Sequence, residues 1–173
     1  MSAKWYTNGK GNNVKVLVCD SYETLSKKAA GILAGIINVK PDAVLGLATG
    51  SSPVGTYKEL IKLFEAGLLD FSKVRTYNLD EYYPIDPEND QSYHYFMNVN
   101  LFDHVNIDKA NVHVPDGNAP DMDKACKDYE AMLDEIRKEL NFTSLHYHRL
   151  DDMVEAIPIE PCKLCTYCWS GKE

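Results

Sequence analysis

Short apolar runs alternate with amphipathic stretches along most of this chain. Residues 14–19 (VKVLVC) form a β-branched run that predicts a strand, and Asp20 and Ser21 behind it are candidate helix caps. From 22 to 37, Leu25, Ala29, Ile32 and Ile36 recur at helical spacing, which predicts an amphipathic helix, and Lys40-Pro41-Asp42 breaks it. Residues 43–48 (AVLGLA) are too short for a helix and read as a strand buried on both faces. A second helical stripe, Val54, Tyr57, Leu60, Ile61 and Phe64, starts just after Pro53, a residue suited to a helix start. Residues 74–79 (VRTYNL) predict a third strand, followed by an acidic loop at 80–90. A helix from Ser92 is expected to carry Phe96, Val99 and Phe102 inward. After a short strand at 111–114 and a turn at 115–120 (PDGNAP), a helix over 121–140 has Met122, Ala125, Tyr129 and Met132 on one side.

Strands alternating with helices predict an α/β fold with a parallel sheet and helical crossovers. Three parts are expected: a polar arm over 1–13, an α/β domain over 14–136, and a tail over 137–173. In the tail, 144–148 reads as a strand, 150–157 as a short helix, and 158–173 as a proline- and cysteine-bearing end.

Charge narrows the choice of partner. Lys plus Arg (18) is outnumbered by Asp plus Glu (26), for a net charge of -8. Coating nucleic acid or an anionic membrane needs a basic stripe that this balance does not supply. No apolar run reaches the roughly 18 residues of a membrane span, and no secretory signal pattern opens the chain, so a cytoplasmic protein is expected.

Three places could carry chemistry. Thr49, Gly50, Ser51 and Ser52 lie between a buried strand and a helix, where backbone amides, hydroxyls and a helix N-terminus suit a phosphate. The plain alternative is a turn in which Ser52 caps the helix. Asp80 and Glu81 leave the next strand at the end where open parallel sheets bind ligands, so the two places converge. Neighbouring residues leaving a strand tend to point to opposite sides, so one carboxylate could face a cleft as a general base. A solvated acidic loop is the alternative. Cys162, Cys165 and Cys168 have the two-residue spacing of metal or iron–sulfur ligands, but three thiolates do not fill a tetrahedral site, and reduced thiols on a tail are the other reading. His94 and His113 read as packing or strand residues, and His146 with His148 as residues of a polar face.

Four ordered blocks carry a resemblance: LGLATGSSPVGTYKELI (45–61), TYNLDEYYPI (76–85), SYHYFMNVNLFDHV (92–105) and DGNAPDMDKACKDYEAML (116–133). Over 14–135 the chain resembles the first half of the glucosamine-6-phosphate deaminase family. The related 6-phosphogluconolactonases typically place Arg after the Asp-Glu pair, where Tyr82 stands here. The resemblance implies a cytoplasmic protein with a Rossmann-like open parallel sheet, helices on both faces, and homo-oligomeric assembly. It also implies a small-molecule sugar phosphate as ligand and no required cofactor. By matched motif, Thr49, Gly50, Ser51 and Ser52 would hold the phosphate, Asp80 would move a proton from C2 to C1, and Glu81 would support the site. The glycine-rich, histidine-bearing segment that opens the sugar ring in the family does not occur in the chain, which implies impaired turnover or a phosphosugar-binding remnant. Residues 144–173 resemble the C-terminus of glutamine amidophosphoribosyltransferase, whose terminal C-x-x-C, here Cys165 and Cys168, contributes to a 4Fe–4S cluster. That implies a fusion with its seam near Ile136 and zinc or an iron–sulfur cluster at the tail cysteines.

Overall fold

A computed structural model describes residues 2–7 and 13–140. Residues 2–7, expected within a polar arm, form a strand: β1 (Ser2–Thr7) pairs antiparallel with β2 (Asn13–Val18), from Ser2 opposite Val18 to Thr7 opposite Asn13. The predicted first strand therefore exists, but with a local partner rather than in the parallel sheet.

The parallel sheet has the order β3 (Val44–Leu47), β4 (Arg75–Asn78), β5 (Val112–His113). Leu47 lies opposite Asn78, so β3 and β4 end level and release their loops at the same sheet edge. The helices are α1 (Tyr22–Val39), α2 (Val54–Glu65), α3 (Tyr93–Asn100) and α4 (Met122–Glu139). Together they make the expected α/β architecture with an open parallel sheet. The α1 start is fixed by Ser21, whose hydroxyl accepts the Thr24 N–H at 3.2 Å. Ser92 does the same for α3, accepting from Tyr95 at 2.9 Å.

Leu45 and Leu47 of β3, Tyr57 and Leu60 of α2, and Phe71, Val74, Met97, Leu101 and Phe102 form the buried core. Two faces differ from expectation. On α1 the inward residues are Ser26, Ala30, Ala34 and Ile37, while Leu25, Ile32 and Ile36 are 46%, 55% and 45% exposed. At Ser26 the two helices are in close contact: a Cβ on Gly55 of α2 would lie 2.2 Å from the Ser26 Oγ, so the pair is closely fitted there. On α3, Phe96 packs on the core as expected, but Val99 is exposed and Met97 is fully buried. The helix stops at Asn100 and a 3-10 turn over Phe102–His104 shifts the phase, so Leu101 and Phe102 both point inward.

The chain divides into two units, Met1–Glu130 and Ala131–Glu173, and α4 runs through the division. In the first, the Tyr129 hydroxyl donates to the Asn78 carbonyl at 2.7 Å and the His113 carbonyl at 3.2 Å, joining the ends of β4 and β5. In the second, the described residues are the last turns of α4, where Arg137 pairs with Asp134 at 3.1 Å.

Candidate functional site

The chain leaves β3 at Leu47 and reverses through Thr49, Gly50, Ser51 and Ser52 into α2. Gly50 takes φ 92, the left-handed region open to glycine without strain. No side chain caps α2, so Ser52 is not its cap, and both serines are exposed. The turn is pinned from behind. The Tyr22 hydroxyl accepts the Gly55 N–H at 2.8 Å and shares its proton between the Ser51 and Ser52 carbonyls at 3.1 and 3.0 Å. The Tyr57 hydroxyl donates to the Ala48 carbonyl, and burial pushes that phenol well above its ordinary pKa. Asn78 donates to the Leu47 carbonyl at 2.9 Å, tying the ends of β3 and β4 together. Tyr22, Ser51, Ser52, Val54, Gly55 and Lys58 line an open cleft of about 600 Å³ on one side of the turn. Asp80 does not line this cleft.

The acidic pair divides its work. Glu81 Oε1 accepts the backbone N–H groups of Tyr82 at 2.9 Å and Tyr93 at 2.8 Å, and Oε2 accepts that of His94 at 2.9 Å. Its carboxylate thus satisfies orphan donors at the start of α3, where the helix dipole favours negative charge. Asp80 keeps a solvent-exposed side, yet burial of its carboxyl, and then the charge of Glu81, raise it above the ordinary Asp value. The loop is braced by the 115–120 turn: the Ile85 N–H donates to the Gly117 carbonyl at 2.8 Å, and a Cβ on Gly117 would lie 2.4 Å from the Tyr82 carbonyl oxygen.

The Tyr93 ring lies against Tyr82 with centroids 4.8 Å apart, and its hydroxyl donates to the Tyr82 hydroxyl at 3.2 Å. That bond first, then partial burial and the nearby charges of Tyr82 and Asp80, push the Tyr93 phenol up to about 12. Sequence patterning missed Tyr22, Asn78, Gly55, Tyr93 and Gly117, because each acts on a distant segment.

His94 sits at the α3 start with its Nδ1 3.4 Å from the Asn98 amide, and His113 stacks on Tyr77 at 4.4 Å. Among the described residues no cluster of three or more His, Cys, Asp or Glu could hold a metal ion. Cys162, Cys165 and Cys168, with His146 and His148, lie outside the described residues. No described helix is long and apolar enough to cross a membrane.

Residues 20–151 match the family model described as glucosamine-6-phosphate isomerases/6-phosphogluconolactonase. A glucosamine-6-phosphate deaminase from Clostridium botulinum (strain Hall) is 52% identical over 121 residues, covering 70% of this chain and 50% of that protein. The one from Clostridioides difficile (strain 630) is 53% identical over 121 residues, covering 70% and 49%. A solved monomeric glucosamine-6-phosphate deaminase superposes with a TM-score of 0.67 at 44% identity, over 68% of this chain and 49% of that one. The 6-phosphogluconolactonase of Thermotoga maritima shares the fold, with a TM-score of 0.56 at 22% identity. The chain spans about half the length of the curated relatives it matches. With the family model covering most of its residues, the chain belongs to the glucosamine-6-phosphate isomerase/6-phosphogluconolactonase family.

Proposed function

We propose that this chain is a glucosamine-6-phosphate deaminase-type domain that binds the sugar phosphate and abstracts the C2 proton. The observation that carries the reading is the division of the acidic pair. Glu81 is engaged by three backbone N–H groups, while Asp80 beside it has a raised pKa and access to solvent, as a general base requires. The amides and hydroxyls of Thr49, Gly50, Ser51 and Ser52 take the phosphate. Asp80 takes the C2 proton of the open-chain amino sugar to give an enolamine and returns a proton to C1. The resulting C2 imine is hydrolysed to fructose 6-phosphate and ammonia.

The test is exchange of the C2 hydrogen of glucosamine 6-phosphate in deuterium oxide, read beside a phosphate titration. Exchange that Asp80→Asn abolishes supports the reading. Phosphate binding without exchange supports the second reading, a non-catalytic phosphosugar-binding remnant, and the absence of both sinks the proposal.

On the same reading the domain works in the cytoplasm, needs no cofactor and assembles as a homo-oligomer. Residues 144–173 are proposed to be an amidophosphoribosyltransferase-like end joined near Ile136. Cys162, Cys165 and Cys168 are candidate ligands there for zinc or an iron–sulfur cluster. Metal content after anaerobic purification tests the cysteines, and light scattering tests the assembly.

A further inference from the structure

Resting on the functional reading above for ligand and reaction, we propose that Asn78 is a positioning residue that sets the spacing between the phosphate-binding turn and Asp80. Asn78 is the last residue of β4 and lies opposite Leu47, the last residue of β3. Its side chain is buried, and its Nδ2 donates to the Leu47 carbonyl at 2.9 Å, at the place where the paired register of the two strands ends. Its Oδ1 is buried with no partner among the described residues. An orphaned buried acceptor is costly, so packing alone does not favour this amide, and it contributes through its donor. The backbone of the same residue is held too. Its carbonyl accepts from the Tyr129 hydroxyl at 2.7 Å, and that hydroxyl also reaches the His113 carbonyl at 3.2 Å.

Both functional loops therefore start from one residue. Thr49 stands two residues beyond Leu47, whose carbonyl the Asn78 side chain holds. Asp80 stands two residues beyond Asn78, whose own carbonyl Tyr129 holds. Leu79 between them is 82% exposed, so the path to Asp80 is directed by the anchored Asn78 peptide and not by packing of Leu79. A base at Asp80 must meet C2 while the phosphate of the same substrate sits at the turn, so the spacing of the two loops decides whether a bound sugar is aligned. Removing the Asn78 amide frees the turn from β4. Removing the Tyr129 hydroxyl frees the start of the Asp80 loop and leaves the turn tied.

The experiment compares the wild-type chain with Asn78→Leu, which keeps the bulk and removes the donor, with Tyr129→Phe, and with Val74→Ala, which weakens the buried core without touching either loop. Affinity for inorganic phosphate reports on the turn. Exchange of the C2 hydrogen of saturating glucosamine 6-phosphate in deuterium oxide reports on the alignment, and both are read below the melting temperature of every variant. Asn78→Leu should bind phosphate about two- to tenfold more weakly, the worth of one hydrogen bond, and should exchange about tenfold more slowly or worse. Tyr129→Phe should exchange more slowly while its phosphate affinity stays at the wild-type value, and Val74→Ala should keep both. Wild-type exchange in Asn78→Leu, or equal losses in Val74→Ala, overturn the assignment. If Asn78→Leu does not fold, Tyr129→Phe decides: slowed exchange at unchanged affinity supports the spacing role, and unchanged exchange overturns it. A wild-type chain without exchange counts against the proposed catalysis, and the amide resonances of the free chain then decide the spacing. Asn78→Leu should move the Thr49 and Gly50 signals together with that of Asp80, and Thr49 and Gly50 signals that stay in place overturn it.

Discussion

Glu81 Oε2 accepts the backbone N–H of His94 at 2.9 Å, so a residue of the acidic loop closes the first turn of a helix that begins twelve positions further on. Replacing Glu81 by Ala strands this N–H and those of Tyr82 and Tyr93. Glu81→Ala should lower stability by about 1–3 kcal/mol, the cost of leaving part-buried donors unpaired. Asp80→Asn should not destabilise the fold at all. Urea unfolding of the two variants separates a structural carboxylate from a functional one, and equal losses would refute the division.

Asp80 also predicts a pH dependence with a definite sign. Its pKa is raised by burial and by Glu81, so the folded chain tolerates the protonated form better than the charged one. The stability this group contributes is fully present below the ordinary Asp value, near 3.9, and is lost as pH rises through the raised value. At pH 7, Asp80→Asn is therefore expected to unfold at slightly higher urea than wild type, and at pH 3 the two should coincide. Solvent around the residue keeps the effect small. A variant less stable than wild type at neutral pH would show that the charge is held favourably.

What the sequence displays well is local. The caps Ser21 and Ser92, the glycine turn after β3 and the paired carboxylates after β4 all act within a few residues, so composition and period reveal them. Side chains that reach across 29 to 33 positions, as Tyr22 does to Ser51 and Gly55, leave no such trace. The α1 stripe misleads in a more instructive way. Periodicity weighs bulk, so Leu25, Ile32 and Ile36 mark a face, whereas the buried face is Ser26, Ala30, Ala34 and Ile37, with Ser26 set close against Gly55.

His113 should make the fold acid-sensitive. Burial first, and then the positive charge of Arg75, hold its imidazole below the ordinary histidine value. The neutral form is favoured in the fold, so the stability is present above about pH 6.5 and is lost as pH falls through the lowered value. His113→Phe keeps a ring against Tyr77 but cannot titrate. Urea midpoints from pH 7 to pH 5 should fall less in this variant than in wild type, and parallel curves would exclude His113 as the source.

The last prediction concerns the scaffold behind the phosphate-binding turn. Gly55→Ala puts a methyl 2.2 Å from the Ser26 Oγ and 2.8 Å from the Tyr22 ring, so α1 and α2 must move apart or Tyr22 must leave its place. Ser26 is buried, and its hydroxyl has no partner among the described residues. Overpacking of this kind costs about 1–3 kcal/mol. Tyr22→Phe removes only the bonds to Gly55, Ser51 and Ser52, and leaves the helix contact intact. If the turn depends on that pin, Tyr22→Phe should weaken phosphate binding with little change in melting temperature, whereas Gly55→Ala should lose both. Adding Ser26→Gly to Gly55→Ala should then recover part of the stability, since it removes the nearer of the two side chains that the new methyl strikes and leaves Tyr22. Phosphate affinity unchanged in Tyr22→Phe would mean that the turn holds its shape through Gly50 and the Tyr57 bond to Ala48 alone.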